Sequence, residues 1–274
     1  MRGRGIIAGA VLCVLIAATA VIVSAAMPTR HAEVEPPGPR SSRVGSAPVE
    51  WAVIGRSRQG RRIVAATFGS GPRRLLVIGG VHGREFGRAV AERLAVYLAG
   101  HPQAVPPGVR VDVLPCLNPD GTALRRRGNA RHVDLNRNLP TSDWRRVLRA
   151  GDPASRDCKG GSAPASEPET QALLRYLRQG FDSVISLHSQ GGFIDFNGPH
   201  AHALATVMSR ACGLPVARIA YQSSITGSLG EYVPAVYRVP VITVELRRPV
   251  LTHGLINAVV KTSSTAGAFA AQHP

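Results

Sequence analysis

Leu75-Leu76-Val77-Ile78-Gly79-Gly80-Val81-His82-Gly83-Arg84-Glu85 is the stretch on which the fold turns. Four consecutive apolar residues, closed by a glycine pair, read as a strand buried in the middle of a sheet. The polar residues that follow therefore stand at that strand's carboxyl end, where open α/β sheets gather their functional groups. His82 and Glu85 are three residues apart, a spacing that brings an imidazole and a carboxylate to one side of a turn entering a helix. Two such donors are half of a zinc site. Taken alone, the pair is better read as a surface histidine and an acid at a helix start, where the macrodipole favours it.

Outward from this point the chain alternates. Apolar, β-branched runs at about 51–55, 61–68, 74–79, 109–114, 182–187 and 240–246 are bounded by Gly, Pro, Asn or Asp and predict strands. Between them, Val90, Leu94, Tyr97 and Leu98 recur at helical spacing. So do Leu173, Leu174 and Leu177 behind the cap-like Ser166 and Glu169, and 201–212 and 252–271 are further helices. The pattern predicts one α/β domain over 49–274, with helices on both faces of a sheet. Residues 141–168, rich in Gly and Pro, predict a long surface loop of the kind that often carries function.

Two more strands end in a chemically useful residue: Val184-Ile185-Ser186-Leu187-His188 and Val241-Ile242-Thr243-Val244-Glu245-Leu246. Each ending alone is unremarkable, but three strand ends presenting His/Glu, His and Glu supply what a three-ligand catalytic zinc and a base require. Between them lie Asn118-Pro119-Asp120-Gly121, Arg127-Gly128-Asn129 and Val133-Asp134-Leu135-Asn136-Arg137-Asn138. These form a turn followed by arginines and asparagines suited to gripping a planar carboxylate, although alone the cluster is better read as a solvated polar turn with its arginines exposed.

In this order the motifs resemble the zinc carboxypeptidase family over about residues 50–250. The segments Ser166–Leu173 and Gly227-Ser228-Leu229-Gly230 are similar to the bacterial murein peptide amidases, which release diaminopimelate from γ-D-glutamyl-diaminopimelate. The resemblance implies a mixed, mostly parallel eight-stranded sheet and one Zn²⁺ per chain. It implies His82, Glu85 and His188 as ligands, Glu245 as general base and Arg127 as the group that polarises the scissile carbonyl. Asn136 and Arg137 would clamp a free C-terminal carboxylate, Asp134 would hold the His82 ring, and Tyr221 and Leu229 would lie against the substrate. The expected substrate is a peptide with a free C-terminus, a murein peptide first. The alternatives are an exported carboxypeptidase on general C-termini, a deacylase on the same zinc scaffold and a catalytically dead envelope-binding protein. Retention of all four zinc-and-base residues speaks against the last.

Arg2 and Arg4 precede an apolar run from Ile6 to Ala26, which predicts a signal peptide or membrane anchor over 1–27 and an extracytoplasmic, anchored or secreted protein. Residues 28–48 have linker composition. The net charge of +16 rests almost wholly on arginine, with Lys159 and Lys261 the two lysines. The arginines are scattered and aromatics make up 5% of the chain, so nucleic acid is not an expected partner. An anionic envelope surface suits the charge better. Cys116, Cys158 and Cys212 follow Cys13 of the apolar run, an odd number that permits one disulfide and one free thiol.

Overall fold

The structure, a computed structural model, describes residues 49–272. The proposed export segment, with its apolar run 6–26, and the linker 28–48 lie outside the described residues. Among the described residues no helix is long and apolar enough to cross a membrane.

Seven strands form one sheet: β1 Ala52–Arg56, β2 Arg62–Phe68, β3 Arg73–Ile78, β4 Val109–Leu114, β5 Ser183–Ser189, β6 Phe193–Asn197 and β7 Val241–Leu246. Their order is β1-β2-β4-β3-β5-β7-β6. The central four, β4, β3, β5 and β7, run parallel, and β1, β2 and β6 complete the sheet with antiparallel pairings. The apolar run 75–78 is thus the middle of the sheet. Its residues alternate, with Leu75 and Val77 in one core cluster and Leu76 and Ile78 in the other. Helices α1 Gly87–Gly100, α4 Ala201–Cys212 and α6 His253–Gln272 cover the first face. Helices α3 Pro168–Leu177 and α5 Leu229–Tyr237 cover the second, and the short α2 spans Pro119–Ala123.

The described residues form seven strands where the family resemblance implies eight, and beside the edge strand β6 an isolated parallel bridge joins Ile194 to Val216. Pro215 precedes that bridge and has no N–H to extend it, although its carbonyl accepts from the Ile194 N–H at 2.9 Å. Two other expectations are corrected. Glu167, not Ser166, is the N-cap residue of α3, without a side-chain cap bond. Ser166 Oγ instead donates to Glu167 Oε1, and Glu169 accepts from the Arg58 N–H and Asn129 Nδ2. Cys116, Cys158 and Cys212 are all free thiols, so the permitted disulfide does not form among the described residues.

Strand order changes direction at β3. From it the chain steps to β4 on one side, then returns to build β5 and β7 on the other, so the carboxyl ends of β3 and β5 flank a topological switch point, where ligands bind in such sheets. Close packing there depends on glycine. A Cβ on Gly87 would stand 1.9 Å from the Leu187 carbonyl oxygen, so α1 can lie against the end of β5 only without a side chain at that position. A Cβ on Gly83 would stand 2.0 Å from the Gly121 carbonyl carbon.

Candidate metal centre and substrate cavity

Three side chains converge at the switch point. His82 and Glu85 come from the turn between β3 and α1, and His188 from the end of β5. Their nearest atoms are His82 Nδ1 to Glu85 Oε1 at 2.7 Å, His188 Nδ1 to Glu85 Oε2 at 2.9 Å and His82 Nδ1 to His188 Nδ1 at 3.2 Å. Both histidines are buried. Burial pushes the Glu85 carboxyl up, but the two imidazoles outweigh it and hold the group well below the usual carboxylate range. Burial and the Arg127 charge push the His82 imidazole down, and the pull of Glu85 and Asp134 nonetheless leaves it above its ordinary value.

The outer nitrogens of both rings are held as well. His82 Nε2 lies 3.0 Å from Asp134 Oδ1, and His188 Nε2 lies 2.9 Å from Ser186 Oγ, two residues back on the same face of β5. A proton on each Nε2 directed at its oxygen leaves both Nδ1 lone pairs facing Glu85, the tautomer that metal ligation needs. Asp134 is buried and also accepts from Arg127 Nε at 2.8 Å and from the Asn136 N–H at 2.8 Å. Burial raises its pKa, but Arg127, His82 and Arg137 together hold it well below the carboxylate range, so it is a fixed anion beneath the site.

These donors fit a zinc ion. Zinc with metal–nitrogen distances of about 2.0–2.1 Å in a tetrahedron has ligand–ligand edges of about 3.3 Å. The Nδ1–Nδ1 separation of 3.2 Å matches that edge, and the two carboxylate contacts fall short of it by about half an ångström. The three residues are also a group whose ligand atoms all lie within 4.8 Å of one another.

The site opens into a cavity of about 350 Å³ that also takes in Arg127, Asn136, Arg137, Tyr221 and Glu245. In the parallel pairing of β5 with β7, Glu245 stands directly opposite His188. Arg127 Nη1 is 3.5 Å from Glu85 Oε1. Asn136 Oδ1 accepts from the Leu229 N–H at 2.8 Å. Arg137 is almost wholly buried, its Nε and Nη2 paired with Asp152 at 2.5 and 3.1 Å and its Nη1 donating to the Asn136 carbonyl at 2.7 Å. Tyr221 is 38% exposed at the cavity mouth, its phenol pushed up by burial and then by the nearby Glu245 charge.

The turn Asn118–Gly121 is the clamp that brings this together. Asn118 Nδ2 donates to the carbonyls of Val81 and Arg127 at 3.3 and 3.1 Å, and its backbone N–H donates to Gly80. One side chain thereby ties the ligand turn to the arginine loop. Asn129, read from sequence as a possible ligand-binding residue, is fully buried. It braces the same loop, accepting from the N–H groups of Arg131 and Val133 and donating to Glu167 and Glu169.

Leu229 is placed differently from its expected role. Its side chain packs into the core beside Val233 and Leu173, because the first turn of α5 points that position at the sheet, while the neighbouring Ser228 and Gly230 line the cavity. Three further residues at the site were not singled out from sequence. Ser186 supports His188, Asp152 pairs with Arg137, and Asp195 on β6 lines the cavity.

The fold and this donor set define a zinc hydrolase, and the chain belongs to the zinc carboxypeptidase family, which matches it over residues 46–237. Murein peptide amidase A of Escherichia coli K12 is 33% identical over 208 residues, covering 71% of this chain and 80% of that protein. The crystal structure of the murein-tripeptide amidase of E. coli O157 superposes with a TM-score of 0.59 at 27% identity, covering 81% of this chain and 93% of that one. Carboxypeptidase A from Helicoverpa armigera, at 19% identity, shares the fold with a TM-score of 0.66, covering 82% of this chain and 70% of that one. The protein is a zinc metallocarboxypeptidase-type hydrolase that uses one Zn²⁺ and acts on peptides with a free C-terminus.

Proposed function

We propose that the protein removes the C-terminal diaminopimelate of cell-wall peptides by hydrolysing its amide bond to γ-D-glutamate, outside the cytoplasmic membrane to which residues 6–26 direct it. The observation that carries the reading is a single cavity joining the His82, Glu85 and His188 cluster to a base, Glu245, and to a fixed arginine, Arg137. Support for the murein substrate comes from 33% identity to murein peptide amidase A across most of that protein's length.

In this reading His82, Glu85 and His188 hold the metal. When bound, zinc supplies Lewis-acid polarisation of an amide carbonyl and a lowered pKa for water. Glu245 takes the proton of the attacking water and passes it to the leaving amine. Arg127, held through Nε by Asp134, directs its remaining donors at the developing oxyanion. A donor of this kind is worth about 3–4 kcal/mol in the transition state. Arg137 and Asn136 receive the terminal carboxylate and set the distance from chain end to scissile bond, and Tyr221 closes over the substrate.

The test is kcat/KM of the zinc-loaded protein for L-Ala-γ-D-Glu-diaminopimelate against a hippuryl peptide ending in Phe or Leu. The murein peptide should lead by at least ~10-fold, the size of one satisfied polar contact. A preference for Phe or Leu overturns the murein assignment and leaves a general exported carboxypeptidase.

A further inference from the structure

The rows of the sheet locate what lies behind the reacting centre. Across β5, β7 and β6 the residues His188, Glu245 and Phe193 stand side by side, and the next row on the same face is Ser186, Thr243 and Asp195. Two residues along a strand correspond to about 6.7 Å. Asp195 and Thr243 therefore form a floor one pleat below the Glu245 row, and both line the cavity.

Asp195 is an unusual floor residue. It is 1% exposed, and its Oδ1 accepts no hydrogen bond among the described residues, although Arg218 Nη1 lies 3.1 Å away as an ionic neighbour. Burial pushes its carboxyl up, against the pull of Arg218 and of the Phe196 and Ile219 N–H groups. An under-bonded buried carboxylate is costly unless a partner arrives. Arg218 complements it. Its guanidinium stacks on the Phe196 ring at 4.7 Å, and its Nη1 donates to the Phe196 carbonyl. Both of these polar contacts, to Asp195 and to the Phe196 carbonyl, run through Nη1, and the residue is half-exposed within the same cavity.

We infer that Asp195 and Arg218 form a two-charge recognition site for the side chain of the released residue, accepting a head group that carries an ammonium and a carboxylate on one carbon. The inference rests on the murein reading above and names the residues that would enforce it. Four carbon–carbon bonds of about 1.5 Å in zigzag reach about 5 Å, and a terminal nitrogen reaches about 6 Å, close to the depth of one pleat. The ammonium would fill the open acceptor site on Asp195 Oδ1, and the carboxylate would take the edge of the Arg218 fork away from Nη1. The pair separates three side-chain classes. A lysine has the ammonium without the carboxylate, a leucine has neither, and diaminopimelate has both.

The experiment uses matched substrates γ-D-glutamyl-diaminopimelate, γ-D-glutamyl-lysine and γ-D-glutamyl-leucine with the zinc-loaded wild type, Asp195→Asn and Arg218→Gln. Zinc content and thermal midpoint are recorded for each protein. Asp195→Asn should lower kcat/KM for the diaminopimelate and lysine substrates by at least ~10-fold and leave leucine within ~3-fold. Arg218→Gln should lower diaminopimelate alone by at least ~10-fold, with its thermal midpoint read beside it because the change also removes the ionic neighbour of Asp195. If the wild type favours diaminopimelate and either variant keeps that preference, or depresses all three substrates equally, the two-charge site is refuted while the murein reading stands. If the wild type shows no preference for diaminopimelate in this series, the murein reading fails and the inference falls with it.

Discussion

Removing Asp152 is the sharpest test of how the carboxylate clamp is held. Arg137 is 2% exposed and Asp152 is fully buried, with two charge-assisted bonds of 2.5 and 3.1 Å between them. Asp152 also accepts from the Ala154 N–H at 2.9 Å. Asp152→Ala leaves the Arg137 cation buried without its counter-ion, and breaking a buried pair from one side costs about 3–5 kcal/mol. Loss of the turn-capping bond adds about 1 kcal/mol. Against a total stability of about 5–15 kcal/mol, that is a large fraction, and for a domain of this size it corresponds to a midpoint lower by roughly 10 °C or more. Urea unfolding of residues 49–274 gives the free-energy change. A double variant, Asp152→Ala with Arg137→Met, separates the orphaned charge from the lost bonds. If the charge dominates, the double variant is more stable than Asp152→Ala alone, with a coupling of at least ~1 kcal/mol. A loss under ~1 kcal/mol for Asp152→Ala, or strict additivity in the cycle, would show that the pair contributes little and that Arg137 is held by other means.

His82→Ala and His188→Ala should each lose the single zinc, read by metal analysis, because three protein ligands are the minimum catalytic set; full occupancy in both would refute the ligand assignment. Glu245→Gln should keep its zinc while kcat falls by orders of magnitude, and turnover within a few-fold of wild type would point to another base. Zinc affinity should weaken as pH falls through the raised His82 value, since a proton on Nδ1 competes with the metal. In the metal-free protein the sign is opposite. A raised histidine favours the fold below its unfolded value near 6.5, and that contribution is lost as pH climbs through the folded value. Zinc affinity that stays flat from about pH 8 to about pH 5 would contradict the competition.

The ligand set was legible because His188 ends one strand and His82 and Glu85 lie in the turn that leaves another, and both strands have unmistakable apolar runs. The supporting residues were harder to read. Ser186 carried a faint signal, since it lies two positions before His188 and so shares its face. Asp195 was hidden because β6 is only five residues, Phe-Ile-Asp-Phe-Asn, behind two glycines that read as loop. Asp152 sits in an irregular loop whose pairing with Arg137, 15 residues away, no periodicity announces. Helix α5 escaped notice because Pro234 interrupts a nine-residue segment; the resemblance put Leu229 against the substrate, whereas its side chain belongs to the core. Glu231 lines a neighbouring cavity with Asp143 and Arg149, its carboxyl pushed up to about 7 by burial and then by Asp143, and Arg247 packs over Gly192.

The change of direction at β3 also sets an order of events during biogenesis. Strand β3 can pair with β4 as soon as residue 114 has emerged, but its other edge stays open until β5 arrives, roughly 70 residues and several seconds of synthesis later at about 5–20 residues per second. In that interval the central strand of the sheet, with its apolar run 75–78, presents an unpaired edge, the feature that invites association between nascent copies. His82 waits through the same interval, 106 residues ahead of its partner His188, so no three-ligand zinc trap exists on a half-made chain. The ligand set, and with it the hydrolytic site, is complete only once β5 and β7 have joined the sheet.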